Sequence, residues 1–306
     1  MTAEYNKEQE NGLFPIRTVS AVTGVNPITL RAWERRYNLI VPERTPKGHR
    51  LYTKEDIENI HRITTLLNQG IAISQVKPLL NQDQTPHATS SGVVSEDVWS
   101  KYTDMMLGSI YNFDESRLDN IYNDALSLYP VDIVSSRLIN PLLQQLGNHW
   151  KESKTGIAEE HFFSVYLRNK LGSRIQHTSL RTTGPRLLIA CLPGEQHETG
   201  MLLFSLAALN HGYRTLILGA NLPLDQITAV IEKQPCDAIV LSGHSRPAKG
   251  LFQEQLPKLI SEISVPLFIG GALAERYYDE IKSLNAIPTS TDIPAGLETI
   301  ANTLNT

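Results

Sequence analysis

The ten residues Cys191–Gly200, CLPGEQHETG, decide how the C-terminal part of the chain is read. The apolar run that enters them, Leu187–Leu192, has the composition of a buried strand. It breaks at Pro193-Gly194 into a polar loop that carries Glu195 and His197, and a helical pattern follows. The alternation then repeats. RLLIACL, YRTLILG, CDAIVLSG and VPLFIGG read as strands, with a weaker one near AIPTS. Helical stretches fall around 198–211, 223–234, 248–262, 274–284 and 292–304. Strands and helices of these lengths predict a parallel sheet covered on both faces, with a ligand site at the carboxyl ends of the strands. Glu195 and His197 stand at that edge. Two apart in one loop, the carboxylate can hold one ring nitrogen, which orients the other toward a metal or electrophile. Zinc is a poor fit, because no second His or Cys lies at ligand spacing and HExxH is absent.

At 306 residues and 41% hydrophobic, the chain has the length of two or three domains. No run of about 18 apolar residues exists, so no membrane span is expected. The polar opening MTAEYNKEQENG argues against a signal peptide. Cys191 and Cys236 border apolar runs and read as reduced core residues. A cytoplasmic protein is expected. Two polar stretches read as linkers, Asn81–Ser95 and Ser179–Pro185. The pieces are then 15–80, 96–178 and 186–306, with 81–95 as the first linker. Residues 15–80 carry about +5 while the remainder carries about −9, so one segment is suited to a polyanion.

In the first piece, Ile16–Thr23 reads as a helix ended by Gly24. Asn26 as N-cap and Pro27 at the first helical position start a second helix over 27–36, which makes a helix-turn-helix. Leu30 and Trp33 share one face; Arg31, Arg35 and Arg36 project elsewhere. ERTPKGHRLYT predicts a small wing turning at Pro46-Lys47-Gly48, and Thr53 with Asp56 resembles a capping box for a third helix. Arginines on the helix, with Arg44, Lys47, His49 and Arg50 on the wing, can straddle a groove and its phosphates. The stretch LRAWERRYNLIVPERTPKGHRLYTKEDI resembles the winged-helix DNA-binding module of the MerR family, over about residues 15–80. The resemblance implies contacts to a double-stranded DNA operator from Thr29, Arg31, Arg35 and Arg36. From the wing it implies Arg44, Lys47, His49 and Arg50, with Tyr52 on the backbone and Trp33 in the core. One departure matters. Only Ile71–Leu80 precede the linker, too short for the coiled coil that pairs familiar members. Pairing into a homo-oligomer, a dimer or tetramer, is therefore expected from the C-terminal two-thirds.

Ser242 in LSGH and the pair Gly270-Gly271 complete a pattern with Glu195, His197 and Gly200. It resembles the D-x-H-x-x-G, S-x-L and G-G signature of the cobalamin-binding Rossmann-like domain of methionine synthases and mutases. Glu195 replaces the usual Asp, and His244 the usual Leu. The resemblance implies a base-off cobalamin with His197 as lower axial ligand to cobalt. Glu195 would steady that imidazole, Ser242 would relay to Glu195, and Gly243, Gly270 and Gly271 would keep a slot open for the nucleotide tail.

Residues 96–178 read as four helices, near 96–110, 114–128, 130–151 and 158–178, the third kinked at Pro141. An antiparallel hairpin of the last two brings Trp150 beside Glu160 and His161. WKESKTGIAEEHFF carries W-x9-E-H and resembles the helical cap of cobalamin-dependent MerR regulators of the CarH and LitR photoreceptor type. By that resemblance Trp150 lies beside the adenosyl group of adenosylcobalamin, and Glu160 and His161 contact that group or stabilise the cap. The dark form would assemble on DNA and repress, and light would break the Co–C bond and disperse it. Methylcobalamin stays open as the bound form, since both share the lower-face contacts. A His can follow the Trp in such photoreceptors; here Lys151 does, an ammonium and a poor ligand. A bis-histidine adduct is therefore not expected after photolysis. The fold class expected is multidomain, α and α/β: winged helix-turn-helix, four-helix bundle and Rossmann-like parallel sheet. A MerR-type regulator that senses cobalamin without light, or needs none, is the alternative function. A corrinoid methyl-carrier would also pair a helical cap with a Rossmann domain, but has no use for the basic helix-turn-helix.

Overall fold

A computed structural model describes residues 12–80, 95–149, 153–179, 182–244 and 246–305. The chain divides between Phe163 and Ser164 into two compact units. The first begins with strand β1 (Phe14–Pro15) and helix α1 (Ile16–Thr23), which Gly24 terminates at φ 70, a left-handed conformation that glycine adopts freely. Helix α2 (Pro27–Ala32, continued by a π turn over Trp33–Tyr37) starts where the Asn26 side chain accepts the Ile28 N–H. Strands β2 (Glu43–Arg44) and β3 (Arg50–Tyr52) form the wing, with β1 pairing to β3 in the order β1-β3-β2. Helix α3 (Lys54–Asn68) opens on the Thr53–Asp56 capping box and buries Ile60, Ile63 and Leu67; α4 (Ile73–Leu80) follows.

The helical domain of the same unit contains α5 (Ser95–Tyr111), α6 (Glu115–Leu128) and α7. Helix α7 runs through Val131–Val134, a π turn at Ser135–Ile139, and Asn140–His149. The irregularity falls one turn before Pro141, the residue predicted to kink this helix. A π turn widens the spacing where the proline ring would meet the carbonyl four residues back. Met106, Ile110, Leu118, Leu138, Leu142 and Leu146 are fully buried here. Helix α8 (Gly156–Ser179) crosses the division between the units.

The second unit has a five-stranded parallel sheet in the order β5-β4-β6-β7-β8. The strands are β4 (Arg186–Cys191), β5 (Arg214–Gly219), β6 (Ala238–Ser242), β7 (Leu267–Gly270) and β8 (Ile287–Pro288). Between them lie α9 (Thr199–Asn210), α10 (Asp225–Lys233), α11 (a π turn over Leu251–Gln255, then Leu256–Glu262), α12 (Ala272–Arg276) and α13 (Tyr278–Ser283). Helix α14 (Ile293–Leu304) ends the fold. Leu188, Ile239, Leu241, Leu267 and Ile269 pack into one core with Ile227, Leu256 and Leu259, so the central strands are apolar almost throughout. The chain's first strand in this sheet, β4, is an interior one, and β5 and β6 flank it. That order reverses the direction of winding between β4 and β6, and ligands of such sheets bind at the strand ends of this switch point. Cys191 pairs with Ser242 there. Among the described residues no helix is long and apolar enough to cross a membrane.

Candidate functional site

After β4 the chain turns where the Glu195 N–H reaches the Leu192 carbonyl (3.0 Å) and Gly194 takes φ 82. The Gly194 N–H donates to the Asn221 side chain (2.8 Å), and the Asn221 N–H returns to the Glu195 carbonyl (2.9 Å). This exchange fixes the loop against the one that follows β5. Glu195 is 3% exposed. Its Oε1 lies 2.5 Å from His197 Nδ1 and accepts the His197 N–H at 2.9 Å; its Oε2 accepts the His244 N–H at 2.7 Å. With Nδ1–H given to a carboxylate, the lone pair of the ring sits on Nε2. The His197 side chain is 54% exposed, so a buried anion aims a half-exposed imidazole.

The neighbouring groups refine what this imidazole can do. Burial, then Glu195 and Glu198, push the Cys191 thiol up to about 12, as for a thiol packed in the core. Among the described residues no group of three or more His, Cys, Asp or Glu could hold a metal ion. The half-exposed Nε2 offers one nitrogen donor to a metal that brings its other ligands with it. The His244 ring stands 5.7 Å from that of His197, at 61°. Arg276 donates to the His244 carbonyl, so the backbone of His244 is held from both ends.

Two arrangements at this edge differ from those the resemblance implies. Among the described residues the Ser242 hydroxyl makes no hydrogen bond to Glu195; the chain turns after β6 so that the His244 amide takes that oxygen, and Ser242 offers its carbonyl to Leu192 N–H (2.9 Å). The glycines do not line an open slot. A Cβ on Gly243 would stand 2.8 Å from Leu192 Cδ1 and 3.1 Å from Leu273, and one on Gly270 would stand 2.8 Å from Thr289 Oγ1. Gly271, at φ 82, abuts the Gly243 carbonyl. These positions need glycine because two loops touch there. Gly200 faces open space.

At the end of the helical domain, Trp150 and Lys151 lie outside the described residues. Glu160 is half-buried and His161 exposed at the start of α8. The residue that sequence reasoning missed is Glu159, 3% exposed. Its Oε1 accepts the Thr155 hydroxyl (2.6 Å), and Oε2 lies 3.8 Å from His149 Nε2. The His149 ring rests against Tyr111, with centroids 5.2 Å apart. Glu159 shares a buried stripe with Phe163 four residues on, and that spacing could have revealed it.

On the winged helix, Arg31, Arg35 and Arg36 are exposed on α2, as are Arg44, Lys47 and His49 on the wing. Glu34 gathers two arginines, accepting from Arg44 Nη2 at 2.7 Å and from Arg50 Nε. Burial raises the Glu34 carboxyl, but the hydrogen bonds and charges of Arg50 and Arg44 outweigh it and hold it below the usual carboxylate range. Two expected DNA contacts are not on the surface. Thr29 is fully buried and its hydroxyl donates to the Leu126 carbonyl (3.2 Å), because α2 packs against α6. Tyr52 is fully buried in β3, its hydroxyl meets no hydrogen-bond partner among the described residues, and burial pushes it up to about 12. Trp33 is buried too, as expected, with Nε1 donating to the Leu128 carbonyl (2.8 Å).

Comparison with known proteins places both halves of this picture. Residues 14–83 match the MerR HTH family of regulatory proteins, and residues 103–174 match the B12 binding domain. The chain joins a MerR-type HTH segment to a B12-binding segment. It is similar to the HTH-type transcriptional repressor CarH of Myxococcus xanthus, 28% identical over 86% of this chain and 90% of that one. CarA from the same organism, also a repressor, is 27% identical over 89% and 91%. The regulator MlrA of Escherichia coli is 31% identical over 44% of this MerR-type chain and 52% of its own. Among solved structures, the monomethylamine corrinoid protein of Methanosarcina barkeri superimposes with a TM-score of 0.52. It covers 67% of this chain and 99% of its own at 14% identity, a likeness of fold alone.

Proposed function

We propose that this protein is a DNA-binding transcriptional repressor that holds adenosylcobalamin, with His197 beneath the cobalt, and leaves DNA when light cleaves the Co–C bond. The observation that carries the reading is the buried Glu195 clamp on His197, on a chain that also bears a MerR-type helix-turn-helix. When bound, cobalamin supplies a photolabile cobalt–carbon bond. The chain's own residues do the rest. Glu195 holds the Nδ1 proton and so keeps the Nε2 lone pair directed outward. Trp150, Glu160 and His161 are proposed to face the adenosyl group. Arg31, Arg35, Arg36, Lys47 and His49 meet groove and phosphates, while Glu34 positions Arg44 and Arg50 beside them. The names of CarH and CarA support repression, and the B12 match supports the ligand. Dark assembly is read as a dimer or tetramer, with methylcobalamin as the alternative ligand.

Lys151 favours a second reading, a MerR-type regulator that responds to cobalamin itself without photoreception. One experiment separates them. The protein is mixed with adenosylcobalamin in darkness, and its absorption spectrum, size and DNA binding are recorded before and after green light. A light-driven loss of both assembly and DNA supports the photoreceptor. Retained colour with no light response supports the second reading, and a colourless protein removes cobalamin from the account.

A further inference from the structure

The residue after His197 is a second carboxylate, Glu198, held from the end of β5 and from α8. Glu198 stands at the N-cap of α9, but its side chain makes no capping hydrogen bond. Its Oε1 instead accepts the Ala220 N–H at 3.0 Å, just past β5, and its Oε2 lies 3.4 Å from Arg168 Nε on α8. Gly219 leaves it room: a Cβ there, at φ 82, would stand 3.1 Å from Glu198 Oε1. The loop after β5 therefore grips the loop after β4 on both sides of the imidazole. Asn221 exchanges hydrogen bonds with Gly194 and Glu195 before His197, and Ala220 holds Glu198 after it. Arg168 adds a third element from outside the sheet. Arg168 and Glu198 both belong to the second unit.

We infer that Arg168 and Glu198 are positioning residues for His197, a pair through which α8 braces the ligand loop. The inference rests on the proposed reading of His197 as the residue beneath cobalt. Glu195 fixes the His197 ring, but a ring is only as well placed as the backbone that carries it, and Glu198 pins that backbone one residue on. The guanidinium on its outer oxygen keeps the carboxylate over the Ala220 amide instead of free in water. The Arg168 side chain is 60% exposed, so the pair adds little to the stability of the unit; its effect is local. Helix α8 is continuous from Gly156 to Ser179 and carries Glu160 and His161 near its start. The helix proposed to meet the adenosyl group thus also steadies the lower ligand. Position and charge make opposite demands on the pair. Arg168→Gln leaves an unpaired anion beside His197, which by charge alone would tighten the hold on a cationic metal centre. Glu198→Gln removes the anion, which by charge alone would loosen it, while an oxygen remains for the Ala220 N–H. If position decides, both substitutions weaken the site.

The test uses the full chain and adenosylcobalamin in darkness, with affinity read by equilibrium dialysis. Hydrogen exchange at the Ala220 amide reports the hold on Glu198 without any ligand. Arg168→Gln and Glu198→Gln should each weaken cobalamin binding by about two- to fivefold, the worth of one partly exposed ion pair. Each should also speed Ala220 exchange, with the thermal transition little changed. The double variant should be no weaker than the weaker single one, because the two residues act as one pair. Arg168→Lys, which returns a cation, should recover most of the loss. Affinity shifts of opposite sign, unchanged affinity in both single variants, losses that add in the double variant, no recovery in Arg168→Lys, or unchanged Ala220 exchange overturns the inference. A wild type that retains no cobalamin fells the reading of His197 and the inference with it, a result distinct from bound cobalamin that ignores both substitutions.

Discussion

Replacing Glu195 by Gln examines the ligand site at its most constrained atom. Among the described residues the carboxylate accepts from His197 Nδ1 at 2.5 Å, from the His197 amide at 2.9 Å and from the His244 amide at 2.7 Å. An amide retains one acceptor and turns an NH2 toward a donor on the other side. In a residue 3% exposed, a donor left facing a donor costs about 1–3 kcal/mol, and the lost charge assistance adds to it. At roughly 4 °C per kcal/mol, the transition of the second unit should fall by about 4–12 °C. The imidazole would also lose its enforced tautomer. Loss of such a partner typically weakens a metal site by about 10–100-fold. Equilibrium dialysis against cobalamin in darkness, with thermal unfolding by circular dichroism, measures both. Glu195→Asp keeps the charge but shortens the reach, and should fall between Gln and wild type. Cobalamin affinity for Glu195→Gln within twofold of wild type, with an unchanged melting transition, would refute the reasoning.

Three further outcomes follow from the geometry. Arg31→Ala and Arg35→Ala should each weaken duplex binding and reduce its salt slope by about one, measured by anisotropy titrations across ionic strength. Gly271→Ala must place a Cβ against the Gly243 carbonyl at φ 82, so it should lose more than about 1 kcal/mol in urea unfolding, whereas Gly200→Ala, in open space, should be near neutral. Glu34 is held below the usual carboxylate range, so its pairs with Arg44 and Arg50 stabilise fully above that range, near pH 4, and fade as pH falls through the lowered folded value. Acid unfolding of Glu34→Gln should therefore lack that component, seen as a smaller loss of stability between neutral and acidic pH.

The parts of the fold that rest on local pattern were legible in advance. Alternating apolar runs placed the five strands, and Asn26-Pro27 and Thr53-Asp56 marked helix starts that the structure reproduces. Glu195 and His197 were legible for the same reason, since two residues in one loop can meet without help from the rest of the chain. What sequence could not show was contact across distance. Glu195 meets the amide of His244, 49 residues away, because β4 and β6 are neighbours, and an amide has no residue type to betray it. Thr29 and Trp33 lie 97 and 95 residues from the carbonyls they reach, so their burial against α6 leaves no local trace. Adjacent carboxylates failed for a subtler reason: one step along α8 turns a side chain by about 100°, which separates the buried Glu159 from the half-buried Glu160.

The lower ligand can be examined directly. Protein grown with 15N-histidine, loaded with cobalamin and reduced to the cobalt(II) state, gives an electron paramagnetic resonance spectrum split by the axial nitrogen. A doublet from the 15N-labelled imidazole, lost in His197→Ala, is the result predicted here. A triplet from the cofactor's own unlabelled base would contradict it.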